Sequence, residues 1–182
     1  MAATRVILTY KDYAALPSDG KRYELHEGEL SMTPAPGSRH QQVSANLFMI
    51  LRQHVQAKAL GEVLYAPLDC IFSDITIVQP DIVYLESERR GLISARGIEG
   101  PPTLAVEILS PSTIQIDRGT KLQLYARYRV PHYWIVDPEP ISIEVFSLTG
   151  SAYQSVARAS GSSPVFLPPF PDLLLVADSF SP

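Results

Sequence analysis

The stretch PPTLAVEILSPSTIQIDRGTKLQLYARY, residues 101–128, decides the fold and carries the most informative charges in the sequence. Its two opening prolines exclude helix, and the almost wholly apolar run Leu104–Leu109 that follows predicts a strand buried on both faces. Glu107 stands in the middle of this run. Because an ionised carboxylate is costly there unless it is paired or bound to a metal, Glu107 marks a site within the sheet.

A helix is predicted to begin near Asp117, after the turn-forming residues 110–113. On a helical wheel with about 100° per residue, Lys121 falls in the apolar arc beside Tyr125, whereas Gln123 lies on the opposite side. The sequence therefore places an inward lysine just after a strand that carries an inward glutamate. This pair indicates either a chemical site or a buried ion pair with a purely structural role.

The composition is that of one soluble globular domain spanning residues 1–182, with 46% hydrophobic and 19% charged residues. No apolar run approaches the roughly 20 residues of a membrane-spanning helix. The opening residues MAATRVILTYKDY lack the pattern of a secretory signal. A single cysteine, Cys70, fits a reducing compartment and predicts a small buried side chain. We therefore expect a cytoplasmic protein with no membrane contact.

The net charge of −4 argues against general adhesion to nucleic acid, which normally needs a basic excess. Any contact with DNA or RNA would have to use a local basic patch. Two groups of residues are candidates for such a patch: Arg89, Arg90 and Arg96, or Arg118, Lys121 and Arg129.

Three elements are predicted before residue 60. A short helix capped by Thr9 spans residues 10–16, and strands at 23–25 and 30–32 form a hairpin with Gly28 at its turn. Ser38 and Gln41 then make a capping-box pattern for a long helix over residues 39–59. Its buried stripe comprises Val43, Leu47, Ile50, Leu51 and Val55.

The remaining chain is mostly strand. One long strand is predicted over Val63–Phe72, and a second over Thr76–Leu85, broken at Gln79-Pro80-Asp81 because proline interrupts a strand. The polar stretch 86–100 indicates a loop or a short helix. Further strands are predicted at residues 132–136, 141–148 and 153–157, with an apolar tail packed on the core. This order predicts an α/β domain of mixed α+β character, in which helices flank a central mixed sheet that follows an N-terminal hairpin.

Two carboxylates and a lysine make the candidate catalytic group. Asp81 and Glu107 lie on successive strand-like runs that can be neighbours in a sheet, and Lys121 follows on the next helix. Carboxylates hold hard cations such as Mg²⁺, and a bound divalent ion activates water and polarises a phosphoryl group. A lysine beside them can position the water, help to deprotonate it as a catalytic base, or offset charge at phosphorus. The group therefore suits metal-assisted phosphodiester cleavage.

Six segments, in order along the chain, resemble the Uma-type family of proposed restriction endonucleases, within the PD-(D/E)XK nuclease superfamily. The resemblance covers residues 8–178 and implies a restriction-endonuclease-like fold with one or two Mg²⁺ ions, for which Mn²⁺ is a substitute, and no organic cofactor. The segments are YELHEGEL (23–30), PAPGSRHQ (34–41), VQPDIVYL (78–85), LAVEILSPST (104–113), DRGTKLQLYARYRVPHYWIVDP (117–138) and IEVF (143–146).

The resemblance assigns roles to individual residues. Asp81 and Glu107 match the family's metal-binding acids, and the carbonyl of Ile108 is implied as a further metal ligand. Glu24 matches an acidic residue that an early element contributes. The usual lysine two positions after the glutamate is replaced by leucine at position 109, and Lys121 is its counterpart on the following helix.

Further residues are candidates for substrate binding or support. Gln79 shares a strand face with Asp81 if the break at Pro80 preserves alternation, and otherwise is a buried amide. His40, in the first turn of the long helix, can reach a phosphate or remain a surface histidine, and Arg118 is a further candidate. Asp69 is more simply a strand-end acid. Tyr133 and Trp134 are expected in the core or at a subunit contact.

Three functions fit these observations. The first is a Mg²⁺-dependent endonuclease that hydrolyses DNA. The second is a nuclease-fold module that binds nucleic acid or assembles with weak or no catalysis. The third is another metal phosphoesterase, which would use the same groups. A homodimer is expected from the resemblance alone.

Overall fold

Two β-sheets and one long helix carry the fold in the computed structural model, which describes residues 6–182. The expectation that no secretory signal is present concerns a segment whose first five residues lie outside this range. No helix within residues 6–182 is both long and apolar enough to cross a membrane.

The helices and strands have the following bounds. The helices are α1 (Tyr10–Ala14), α2 (Ser38–Ala57) and α3 (Leu122–Arg127), with a π-helical turn at Ile116–Lys121 and 3₁₀ turns at Ser87–Leu92 and Ala177–Phe180. The strands are β1 (Arg22–His26), β2 (Glu29–Thr33), β3 (Gly61–Tyr65), β4 (Cys70–Ser73), β5 (Thr76–Val78), β6 (Ile82–Glu86), β7 (Ile93–Ser94), β8 (Gly97–Ile98), β9 (Leu104–Ile108), β10 (His132–Pro138), β11 (Ile141–Thr149), β12 (Ala152–Ser160), β13 (Pro164–Leu167) and β14 (Phe170–Val176).

The central sheet has the strand order β12-β11-β10-β9-β6-β3, with β9 and β10 parallel and the other pairs antiparallel. All five residues of β9 are buried, because α2 covers one face and α3 with the second sheet covers the other. Val106 belongs to the α2 side and Ala105 to the α3 side. Alternation along the strand therefore turns Glu107 toward α3. The predicted mixed sheet flanked by helices is confirmed.

The second sheet has the order β2-β1-β5-β4-β8-β7 and begins with the predicted N-terminal hairpin. Gly28 stands at the hairpin turn with a φ of 81°. Glycine adopts this positive φ without strain because it has no Cβ. A single backbone pairing, Leu25 with Ile77, joins the hairpin to β5. This pairing brings β1 next to the point where the chain leaves β5 for β6.

Both long predicted strands are divided between the two sheets. The prediction of one strand over Val63–Phe72 is wrong: β3 ends at Tyr65 in the central sheet, and β4 begins at Cys70 in the second. The run Thr76–Leu85 is likewise split at Pro80 into β5 and β6, which lie in different sheets. A proline interrupts each run and supplies no N–H to a ladder, so the chain crosses between sheets there. Asp81 lies at the second crossing.

The start of α2 differs from the sequence prediction. Gly37 is the N-cap and no side chain caps the helix, so the predicted Ser38 capping box is wrong and Ser38 is the first helical residue. The helix ends at Ala57, and Ile50 of the predicted stripe is half-buried. The other four stripe residues are fully buried in the core.

The segments predicted as loops contain short strands. Residues 86–100 form a 3₁₀ turn and the small β7–β8 hairpin. The C-terminal tail packs on the core as expected, with Phe170 and Phe180 buried. It does so as a β13–β14 hairpin, to which Trp134 contributes a hydrogen bond from Nε1 to the Pro168 carbonyl at 2.8 Å.

Gly61, the first residue of β3, is expected to tolerate no side chain. Its φ is 153°, and a Cβ there would lie 1.9 Å from the carbonyl oxygen of Leu85 on β6. We expect Gly61→Ala to lower the free energy of unfolding by about 2 kcal/mol or more, measured by urea denaturation. Gly91→Ala is the matched control, because no atom lies within 4 Å of its added Cβ. Equal losses in the two variants would contradict this account.

Candidate active site

A cavity of about 180 Å³ lies where the second sheet, the central sheet and the π-helical turn meet. Residues of β1, of the crossing before β6, of β9 and of the π-helical turn line it. Its charged and titratable lining residues are Glu24, Asp81, Glu107, Asp117, Arg22, Lys121 and His40. Four carboxyl groups therefore face two permanent cations and one histidine.

Lys121 holds the centre of this cluster. Its Nζ lies 2.9 Å from Oε1 of Glu107 and 2.9 Å from Oε1 of Glu24, and 3.8 Å from Oδ1 of Asp117. The side chain is only 6% exposed, which confirms the inward orientation predicted from the helical wheel. Because Asp117 and Lys121 both belong to the π-helical turn, that turn presents a carboxyl group and an ammonium group to the same cavity.

Glu24 and Glu107 each receive further hydrogen bonds. Glu24 Oε1 accepts from the backbone N–H of Gln79 at 2.6 Å, and its Oε2 lies 3.0 Å from Nε2 of His26. The hydroxyl of Tyr125 donates to Oε1 of Glu107 at 2.6 Å. Both carboxyls are thus held by further donors while they contact one ammonium group.

Asp81 is anchored by three donors from different parts of the chain. Its Oδ2 accepts from the backbone N–H of Ile108 at 2.9 Å and lies 3.1 Å from Nε2 of His40, and its Oδ1 lies 3.2 Å from Nη1 of Arg22. The bond to Ile108 ties Asp81 to the residue that follows Glu107. The predicted carboxylate pair is therefore adjacent in space.

The cluster divides its carboxyls into two kinds. Burial raises the pKa of Glu107 well above its usual range, and neighbouring acids add to this against the attraction of Lys121. Burial also acts on Glu24, but Lys121 and the hydrogen bond with His26 outweigh it and lower its pKa. The Asp81 pKa is lowered against burial by His40 and Arg22. The pKa of Glu24 is thus shifted downward and that of Glu107 upward, although both carboxyls contact the same ammonium group.

The donor set of the cavity fits a hard divalent cation. Carboxylate oxygens are what Mg²⁺ and Mn²⁺ prefer, and Oδ1 of Asp117 is buried without a hydrogen-bond partner in residues 6–182. Within that same range no three His, Cys, Asp or Glu side chains already stand in a metal-binding arrangement. The ammonium of Lys121 lies between two of the carboxyls instead.

Three other residues singled out from the sequence lie outside the cavity. The Gln79 side chain donates to Asp69 at 2.8 Å and to the Tyr13 hydroxyl at 3.1 Å, so it is a half-buried amide held by side chains. Asp69 thereby acts as a structural acceptor. Arg118 is paired with Glu144 at 2.9 Å and does not line the cavity.

Neither predicted basic patch is a group of three free cations. The arginines of the first patch each pair with a nearby glutamate. In the second patch Lys121 is buried and Arg118 pairs with Glu144, while Arg129 is exposed and donates to the Gly150 carbonyl. Tyr133 and Trp134 are fully buried, which confirms their place in the core.

Four members of the cluster escaped the sequence prediction as site residues: Arg22, His26, Asp117 and Tyr125. The first two alternate with Glu24 on β1, and the last two lie four residues to either side of Lys121. Residues two apart on a strand, or four apart on a helix, lie on the same face, and this spacing from Glu24 and Lys121 could have identified them.

Comparison with known proteins supports the same fold. A family model described as "Uma2: Putative restriction endonuclease" matches residues 10–177. No curated protein sequence matches the chain. A crystal structure described as a "putative nuclease belonging to DUF820", from Anabaena variabilis ATCC 29413, has a TM-score of 0.78 at 20% sequence identity, over 95% of this chain and 97% of that one. At this identity the likeness shows the fold, which is restriction-endonuclease-like.

Proposed function

The chain belongs to the Uma2 family, and from this premise we propose that it is a metal-dependent endonuclease that hydrolyses DNA phosphodiester bonds. One observation carries the proposal: Lys121 contacts Glu107 and Glu24 in the cavity that Asp81 also lines. A cluster of this kind, buried and rich in acids, is costly to maintain as mere structure. Its groups suit a reaction that brings a phosphate and a divalent cation together.

Asp81, Glu107 and the carbonyl of Ile108 are the residues that would hold Mg²⁺ or Mn²⁺. Such an ion, when bound, lowers the pKa of a coordinated water and polarises the phosphoryl group. Asp81 is suited to this by its lowered pKa, since it is ionised at neutral pH. Glu107 would release its proton in exchange for the ion.

Lys121 acts in this proposal as a charge stabiliser. Its carboxyl neighbours raise its pKa against the effect of burial, so the ammonium remains protonated at neutral pH and does not serve as a general base. It can donate a hydrogen bond that orients the attacking water or offset the negative charge that develops at phosphorus. Glu24 fixes the ammonium in place through the 2.9 Å contact.

Arg22 and His40 complete the cavity on the side of Asp81. Both line it and both contact Asp81, so they can hold that carboxylate and face a phosphate at once. The Nδ1 of His40 is buried and has no hydrogen-bond partner within residues 6–182.

Nicking of supercoiled plasmid tests the proposal. We expect wild-type protein to convert supercoiled DNA to open circles with Mg²⁺ or Mn²⁺, and a chelator to stop the reaction. Asp81→Asn should cleave about a hundredfold more slowly or worse, because a neutral amide is a poor ligand for a hard cation. Asp172→Asn, the same change at an exposed position on β14, should cleave like wild type.

Two outcomes would contradict the proposal. Equal cleavage by wild type and Asp81→Asn would place the activity elsewhere or in a contaminant. No cleavage, together with no calorimetric Mn²⁺ binding that depends on Glu107, would favour a nuclease-fold module that binds nucleic acid or assembles without catalysis. The proposal includes a homodimer that presents two sites to two strands, which sedimentation equilibrium measures.

A further inference from the structure

A second cleft, of about 680 Å³, adjoins the catalytic cavity and has a different character. The two share five lining residues: Arg22, Ala35, Pro36, His40 and Asp81. The walls of the second cleft that lie away from the cavity are largely apolar and come from α2 and the end of β3. A volume of several hundred cubic ångströms is typical of sites for small organic groups.

An aromatic pair forms the exposed part of this cleft. Tyr65 is 60% exposed, although it belongs to a strand of the central sheet. Its ring centroid lies 4.6 Å from that of Phe48 on α2, which supports it from behind. Met49, 67% exposed, lies beside Phe48 and also lines the cleft. A supported ring that faces solvent is a stacking surface.

The charged residues at the cleft complement a nucleic-acid backbone. The cations that line the cleft are Lys21, which pairs with Asp19 at 3.1 Å, and Arg22, which also lines the catalytic cavity; within residues 6–182, Asp81 is the one acid that lines it. Asp81 is already engaged by Arg22 and His40. A phosphate placed in the catalytic cavity would therefore have its neighbouring nucleotide within reach of the apolar cleft.

From this continuity we propose that the second cleft receives an unpaired nucleobase of the DNA strand being cut, stacked on Tyr65. The inference rests on the proposed nuclease function and names its substrate class, DNA with single-stranded or unstacked nucleotides at the scissile position. A base within a duplex is stacked on both faces and cannot enter the cleft. Aromatic platforms of this kind bind single strands with little sequence preference.

Fluorescence anisotropy with a labelled 12-nucleotide single strand of thymidylate, in a chelator, tests the inference without relying on cleavage. We expect Tyr65→Ala to weaken binding about tenfold, equivalent to about 1.4 kcal/mol. Tyr65→Phe should recover the affinity, because it restores the ring. Phe166→Ala removes an equally exposed ring on β13 that does not line either cleft, and it should bind like wild type. Circular dichroism checks that each variant is folded.

An abasic strand of the same length and charge isolates the base contact. Wild type should bind it about as weakly as Tyr65→Ala binds thymidylate, and Tyr65→Ala should cause no further loss with it. Equal weakening on both strands, or no effect of Tyr65→Ala on either, would overturn the inference. So would a concentration-dependent dimer that Tyr65→Ala dissociates, since a second copy of the chain would then cover the cleft. Base-dependent binding without any cleavage would refute the nuclease proposal alone.

Discussion

Glu107→Gln is expected to abolish metal-dependent DNA cleavage, with a loss of about a thousandfold or more in rate, equivalent to about 4 kcal/mol. Glutamine has the size and shape of glutamate and can still accept hydrogen bonds from Lys121 and Tyr125. It lacks the charge that a hard cation requires. The loss would be measured as the single-turnover rate of plasmid nicking in saturating Mn²⁺.

The same substitution is expected to leave the protein at least as stable as wild type. Burial raises the pKa of Glu107 in the folded protein above its ordinary value of 4.5, so wild type takes up a proton there on folding. Below about pH 4.5 both states are protonated and glutamine makes no difference. As the pH rises from 4.5 toward the folded pKa, wild type loses up to about 1.4 kcal/mol per pH unit, and the variant does not. Thermal unfolding in a chelator at several pH values measures this.

These two results together separate chemistry from structure. Glu62→Gln is the matched control, because Glu62 forms a half-exposed ion pair with Arg90 far from the cavity. It should change neither the cleavage rate nor, by more than about 0.5 kcal/mol, the stability. A Glu107→Gln protein that is clearly less stable than wild type, with the same activity per folded molecule, would show that Glu107 is a structural ion-pair partner instead.

The central features of the site could be predicted because each depends on local periodicity. A buried strand that carries Glu107 needs only a run of apolar residues on both faces. Lys121 was placed inward by an α-helical wheel although it closes a π-helical turn. The prediction held because the residues used to define the buried arc, such as Leu124 and Tyr125, lie in regular helix after that turn.

The rest of the site depends on contacts between distant parts of the chain. The periodicity of a helix or strand indicates which face a side chain occupies, but it does not indicate which other element packs against that face. The approach of Glu24 to Lys121 requires the hairpin to pair with β5, and that pairing rests on Leu25 and Ile77. The division of two predicted strands between separate sheets likewise depends on which distant strands each part pairs with. The prolines indicated where each strand is interrupted, but only the three-dimensional structure shows that the chain crosses from one sheet to the other there.

Lys121→Met is expected to cause the largest loss of stability of any change in the cavity, about 3–5 kcal/mol at neutral pH without metal. Methionine fills the space of the lysine stem but leaves the carboxylate of Glu24 buried without its ammonium. In wild type the depressed pKa of Glu24 gives stability that is fully present above about pH 4.5 and is lost as the pH falls through the lower folded pKa. The deficit of the variant should therefore be greatest at neutral pH and shrink as the pH falls and Glu24 of the variant takes up a proton. Chemical denaturation at pH 7.5 and pH 4 measures this.

A divalent cation should restore part of the stability that Lys121→Met removes, because it would place positive charge at Glu107, one of the two carboxyls that Lys121 contacts. We expect millimolar Mn²⁺ to raise the melting temperature of the variant more than that of wild type, since in wild type the ion competes with the lysine. Lys58→Met is the control: Lys58 forms an exposed ion pair with Asp172, so its loss should cost less than about 0.5 kcal/mol and should not respond to Mn²⁺. If Mn²⁺ stabilised wild type and Lys121→Met equally, the ion would not share Glu107 with Lys121, and the proposed metal site would be wrong.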